Sequence, residues 1–194
     1  MGDGGSKQEI ADFLYEVGHL KRTARTGWAL ARMTNQESVA DHSFRTAVIA
    51  LSMATMAGAD PDRAAAIALL HDLPETRLGD VNHLTRRYLD EAKPFIRVVE
   101  DQTRNLPAEL QRIIQERTRQ WIEQDSAEAR IARDADLIDS ILHLRESLPG
   151  RRVLEDRWIQ YLASSIKTPV GRQVLDQVLA ADPDDWWPHA VTDS

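Results

Sequence analysis

The fold is decided by Pro61-Asp62-Arg63-Ala64-Ala65-Ala66-Ile67-Ala68-Leu69-Leu70-His71-Asp72 and by its continuation, Leu73-Pro74-Glu75-Thr76-Arg77-Leu78-Gly79-Asp80. Asp60-Pro61 reads as an N-cap and a first helical position. From Ala64 to Leu70 the run is apolar all round, which predicts a helix at the centre of the fold. His71 and Asp72 close that helix. Polar groups at the end of a buried helix are costly unless something satisfies them. An imidazole next to a carboxylate is good coordination for a divalent metal. Glu75 and Asp80 add two carboxylates able to handle protons or water.

Working outward, the same helical grammar holds on both sides. Ile10, Phe13, Leu14, Val17 and Leu20 recur at helical spacing. A connector carries Lys21, Arg22, Arg25, Gly27, Trp28 and Arg32. A long helix is expected from Ser38 to Met56, with Phe44, Val48, Leu51 and Thr55 on one face, Ala47, Ala50 and Ala54 allowing close neighbours, and Gly58 as its C-cap glycine. Beyond the central stretch, helical segments are expected around Leu84 to Glu91 and Phe95 to Thr103, separated near Pro94. Pro107 opens another, with Leu110, Ile113, Ile114 and Trp121 on its apolar stripe. Ser126 caps a strong helix to about Leu148, facing inward with Ile131, Ala135, Ile138 and Leu142 and stopped by Pro149-Gly150. Two shorter helices come next, near Leu154 to Ser165 and Val170 to Ala180. No segment alternates with period two, so the fold class is all-α. We expect one domain over 9–181, a floppy tail at 1–8, and an acidic tail at 182–194 carrying Trp186-Trp187.

Composition narrows the chemistry. The chain has 194 residues, 42% hydrophobic and 28% charged, with a formal net charge of -7. That balance argues against a duplex nucleic-acid binder, which presents a basic face, but not against a small phosphate ligand in a local basic pocket. With no cysteine, thiolate sites and disulfides are excluded, leaving His and carboxylates as ligands. No apolar run approaches the roughly 18 residues of a membrane span. The first residues are neither basic nor apolar, so no signal peptide is read there. A cytoplasmic protein is expected.

His42, Asp136 and the His71-Asp72 pair each interrupt an otherwise apolar inner face. One divalent ion would satisfy all of them, since an unpaired buried carboxylate costs several kcal/mol. Two His and two Asp suit Mn, Fe, Co, Ni or Zn better than Ca. Buried His–Asp hydrogen bonds and Arg–Asp pairs are the alternative, and residue types alone leave it open.

The order His42, His71-Asp72, Asp136 resembles the H…HD…D pattern of the HD-domain metallohydrolases. Arg25-Thr26-Gly27-Trp28, Glu37-Ser38-Val39-Ala40-Asp41-His42-Ser43, Leu70-His71-Asp72 with Glu75 and Gly79-Asp80, and Ser126-Ala127-Glu128-Ala129 ahead of Asp136 resemble its 5'-deoxynucleotidase-like subgroup. The motif core covers about residues 25–148. The resemblance implies an α-helical HD domain in which His42, His71, Asp72 and Asp136 ligate a divalent metal, Mn or Co foremost, with Fe, Ni, Zn or Mg as alternatives. It implies hydrolysis of (deoxy)nucleoside 5'-monophosphates to nucleoside and phosphate, with Glu75 and Asp80 as the catalytic carboxylates, and a homodimer. Glu75 would position the attacking water and Asp80 would protonate the leaving 5'-oxygen. Arg25 is the candidate phosphate contact, because Gly27 stands where the bacterial branch has an Arg. Trp28 would wall the sugar or base. Asp41 and His83 are within sequence reach of a second ion. The rivals are an HD phosphohydrolase acting on a triphosphate or cyclic nucleotide, although a triphosphate calls for more positive charge at the pocket than Arg25, Arg22 and Arg45 supply, and a non-catalytic scaffold on the same fold.

Overall fold

The structure is a computed structural model that describes residues 7–34, 36–88, 92–147 and 152–187. Among the described residues there is no β-strand, and the one β-bridge pairs Ala24 with Ser38. The all-α reading holds.

The chain begins with α1 (Lys7–Val17), a 3-10 turn (Gly18–Lys21) and the short α2 (Gly27–Leu30). Lys7 and Gln8, read from sequence as tail, already belong to α1. Next comes α3 (Val39–Ala57), bounded by strong local signals. The Ser38 side chain accepts from the Asp41 backbone, the Asp41 side chain accepts from the Ser38 backbone, and Gly58 ends the helix at φ 69. Such a capping box and a left-handed glycine satisfy the end groups that a helix leaves unpaired. Asp60 caps α4 (Pro61–Leu70), with its side chain on the Arg63 N–H. The chain continues through α5 (Glu75–Leu78), α6 (His83–Arg86), α7 (Ala92–Thr103), α8 (Ala108–Glu123), α9 (Ala127–Ser147), α10 (Arg152–Ala163) and α11 (Pro169–Ala180).

Helices α3, α4 and α9 form the centre. Ala50 and Ala54, Ala64 and Ala68, and Ala132 and Ala135 meet there fully buried, with Met53, Ile67, Ile138 and Ile141 filling between them. Small side chains let helix axes approach closely, and the larger ones interdigitate. Leu162 of α10 and Leu175 of α11 join the same core.

Several expectations are corrected. On α3, Phe44, Val48, Leu51 and Thr55 face solvent, while His42, Ser43, Thr46, Ala50, Met53 and Ala54 face inward. The larger apolar residues form the outer face, while Ala50 and Ala54 are the close-packed positions, because the inner face carries small and polar residues. Helix α4 is central but buried on one side only, with Leu69 exposed; the most enclosed helix is α9. Pro94 does not separate two segments but lies in the first turn of α7, where proline is tolerated. Of the stripe expected on α8, Ile114 and Trp121 are buried, with Thr118 beside them, while Leu110 and Ile113 are exposed. Leu142 is only half-buried. Trp186 and Trp187 are exposed. Pro149-Gly150, Glu91, residues 1–6 and residues 188–194 lie outside the described residues.

Candidate active site

Three of the central helices each contribute to one point. His42 stands in the first turn of α3, His71 and Asp72 extend from the C-terminus of α4, and Asp136 lies midway along α9. All four are buried. One ligand atom each from His42, His71 and Asp72 lies within 4.8 Å of the others. His42 Nε2 is 3.2 Å from Asp136 Oδ1 and 3.8 Å from Asp72 Oδ2, yet it has no aligned hydrogen bond. His71 Nε2 is 2.9 Å from Asp72 Oδ2.

The opposite ring nitrogens explain the orientation. His42 Nδ1 donates to Asp139 Oδ2 at 2.5 Å, and His71 Nδ1 donates to the Ala68 carbonyl at 2.5 Å. With Nδ1 committed in this way, each neutral ring would present Nε2 as the lone-pair donor to an ion, the usual arrangement behind metal-bound histidines. Asp139 is itself held by Arg45 Nε, and Arg45 Nη1 donates to Glu146 at 2.7 Å. Burial disfavours charge on Asp72, but His71, His42 and Arg25 outweigh it and hold the carboxyl below its ordinary range. Asp136 is likewise held well below, against burial, by His42, His71 and Arg133. Burial and Arg25 oppose charge on His42, yet Asp136 and Asp139 lift it to about 9. The field that draws a proton to this point would also draw a divalent cation. Two imidazole nitrogens and two ionised carboxylates fit such an ion.

The point opens into a cleft of about 500 Å³, counted out to solvent at its mouth. Asp72, Asp136, Asp80 and Arg25 line it, with Trp28, His83, Arg86, Trp158 and Leu162. Asp80 Oδ2 accepts from the Thr26 backbone at 2.5 Å and from Thr26 Oγ1 at 2.6 Å, which ties the carboxylate to the connector. Glu75 is fully buried, one turn beyond His71: α4 stops at Leu70, but a series of turns carries the backbone on, with Glu75 N donating to the Asp72 carbonyl. Its Oε1 has Val81 N at 3.5 Å and Arg86 Nη2 at 3.9 Å, and its Oε2 has no partner. Burial first, then Asp72 and Asp80, push this carboxyl well above its ordinary value of 4.5.

The structure thus brings His42, His71, Asp72, Asp136, Glu75, Asp80, Arg25 and Trp28 to one region. Arg25 is mostly buried, its Nη2 donating to Ser140 Oγ at 2.9 Å and its Nη1 lying 3.7 Å from Asp72. Trp28 is both core and wall: buried against Ala31, Met33 and Leu144, it also borders the cleft. Arg22 is exposed and Arg45 sits behind His42, so neither supplies charge at the pocket. Asp41 is spent on the Ser38 cap. His83 borders the cleft, edge-on to Tyr161 at 5.7 Å. Sequence reasoning gave no role to Asp139, one turn after Asp136 on the same helix face, nor to Arg86, three residues after His83; both spacings were readable.

Residues 17–170 match the HD domain family. The 5'-deoxynucleotidase HDDC2 of Bos taurus is 32% identical over 156 residues, covering 76% of this chain and 75% of that protein. The PH0347 protein from Pyrococcus horikoshii OT3 superposes with a TM-score of 0.71 at 26% identity, over 87% of this chain and 97% of that one. The cyanophage S-2L HD phosphohydrolase DatZ, solved bound to dA and one catalytic Zn2+ ion, shares the fold at a TM-score of 0.56 and 19% identity, over 85% of this chain and 91% of that one. The family match spans most of the chain and contains His42, His71, Asp72 and Asp136: the protein belongs to the HD domain family.

Proposed function

We propose that this protein is a divalent-metal-dependent phosphohydrolase that removes the 5'-phosphate from nucleoside 5'-monophosphates, deoxy forms foremost. The observation that carries the reading is the convergence of His42 Nε2, His71 Nε2, Asp72 and Asp136 at the base of a cleft that Asp80 also lines, with Glu75 buried next to it. The curated relatives named 5'-deoxynucleotidase support the substrate class. Manganese or cobalt is the proposed ion; the donor set accepts either. When bound, such an ion polarises phosphoryl oxygens and offsets charge developing on them.

The residues divide the remaining work. Glu75, enclosed below the cleft, positions the attacking water through Oε2, the oxygen that has no protein partner. Asp80, held in place by Thr26, delivers a proton to the leaving 5'-oxygen. Arg25 and Arg86 supply the positive charge that receives the phosphate among the carboxylates of Asp72, Asp80 and Asp136, and Trp28 walls the nucleoside. We further propose a homodimer, supported by the exposed stripe Phe44, Val48 and Leu51 along α3.

Phosphate release measured over nucleoside mono-, di- and triphosphates, ribo and deoxy, with Mn, Co, Mg and Zn tests the reading. Turnover of 5'-monophosphates is expected. Release from triphosphates alone would overturn it.

A further inference from the structure

Glu37 belongs to no part of the chemistry described so far, yet its carboxylate sits where the substrate wall meets the metal ligands. The side chain is nearly buried, and one of its oxygens lies in a cluster with one ligand atom each of His42 and Asp139, all within 4.8 Å of one another. Oε1 accepts from Trp28 Nε1 at 3.0 Å and lies 3.6 Å from Arg25 Nε; Oε2 lies 3.4 Å from His143 Nδ1. His143 in turn packs against Trp28, ring centroids 4.8 Å apart and the planes tilted by 42°. The backbones join as well: Arg25 N donates to the Glu37 carbonyl at 3.1 Å, and Val39 N to the Thr23 carbonyl at 2.8 Å.

Arg25 and Trp28 need such an anchor. They lie on a connector whose only α-helix among the described residues is the four-residue α2, so no long element fixes their direction. A buried indole N–H without an acceptor is costly, and a guanidinium beside a carboxylate is held in both place and charge. Both demands are met by one side chain just ahead of the α3 cap, a few residues before His42.

We propose that Glu37 is a positioning residue that sets Arg25 and Trp28 against the nucleotide and ties them to the helix carrying His42. It touches neither the phosphate nor the ion. The effect on KM rests on the nucleotidase reading; the effect on Trp28 does not.

The test is Glu37→Gln, which keeps the shape and removes the charge, beside Trp28→Phe, which removes only the N–H donor and the indole edge. In 15N-labelled protein the Trp28 indole resonance, identified by its loss in Trp28→Phe, should shift in Glu37→Gln. The KM for a deoxynucleoside 5'-monophosphate should rise about tenfold, the equivalent of one charged hydrogen bond. Metal content and kcat should stay near wild type. The double variant should lose less than the two single losses combined, because the pair shares one interaction. An unmoved indole resonance overturns the proposal, as does a KM rise that tracks loss of bound metal. If the wild type hydrolyses no nucleotide while the indole still shifts, the nucleotidase reading fails and the positioning role stands.

Discussion

Glu75→Gln separates the proposed catalytic carboxyl from the metal ligands, and the structure sets both sign and size. Glu75 is fully buried, and burial, Asp72 and Asp80 raise its carboxyl well above 4.5. A raised acid keeps its proton when folded at pH values where the unfolded chain has released it. Its contribution is therefore intact below the ordinary value and declines as pH rises toward and through the folded value. Each unit is worth about 1.4 kcal/mol, so at pH 7 the decline reaches up to about 3 kcal/mol. Glutamine fills the same space with no proton to lose. In chelator, the variant should exceed wild type in stability at pH 7 by up to about 3 kcal/mol, with the gap closing toward about pH 4.5. Saturating metal should narrow the gap, because a cation nearby favours the ionised carboxyl of the wild type. The variant should keep its metal and lose most turnover, stability and activity moving in opposite directions. Urea unfolding across pH, elemental analysis and phosphate release provide the measurements. A variant that is less stable than wild type at pH 7 in chelator, or fully active, would refute the reasoning.

Asp139→Asn should weaken metal affinity by about 10- to 100-fold by freeing the His42 ring. Asp134→Asn is its control: equally buried on α9, it accepts from Lys167 and Thr168 rather than from a ligand histidine, so it should destabilise the fold and leave metal affinity unchanged; competition titrations with a metal indicator compare the two. Asp72→Ala should abolish stoichiometric metal, read by elemental analysis. Ser38→Ala should cost about 1 kcal/mol in denaturant unfolding by removing the α3 capping box.

Local signals made much of this molecule legible. Asp60-Pro61, Ser38 with Asp41, Gly58 and Ser126 act through bonds to their own neighbours, so the boundaries of α3, α4 and α9 derive from them. The four ligand candidates stood out because each places a polar group on a helix otherwise able to bury itself, and the motif order tied them together. Which face of α3 turns inward was not legible from its larger apolar residues: hydrophobic periodicity assumes an apolar interior, and here His42, Ser43 and Thr46 occupy the inward side.

By itself, then, the sequence determined the helices, their caps and the set of residues able to hold a divalent ion, because those depend on residue chemistry at short spacing. Only the tertiary structure decided what stands behind that set. Asp139 reaches His42 across 97 positions, Ser140 reaches Arg25 across 115, and Asp80 reaches Thr26 across 54. Contacts over such separations depend on how α3, α4 and α9 pack, and no local pattern encodes which nitrogen of His42 is left to face the cleft.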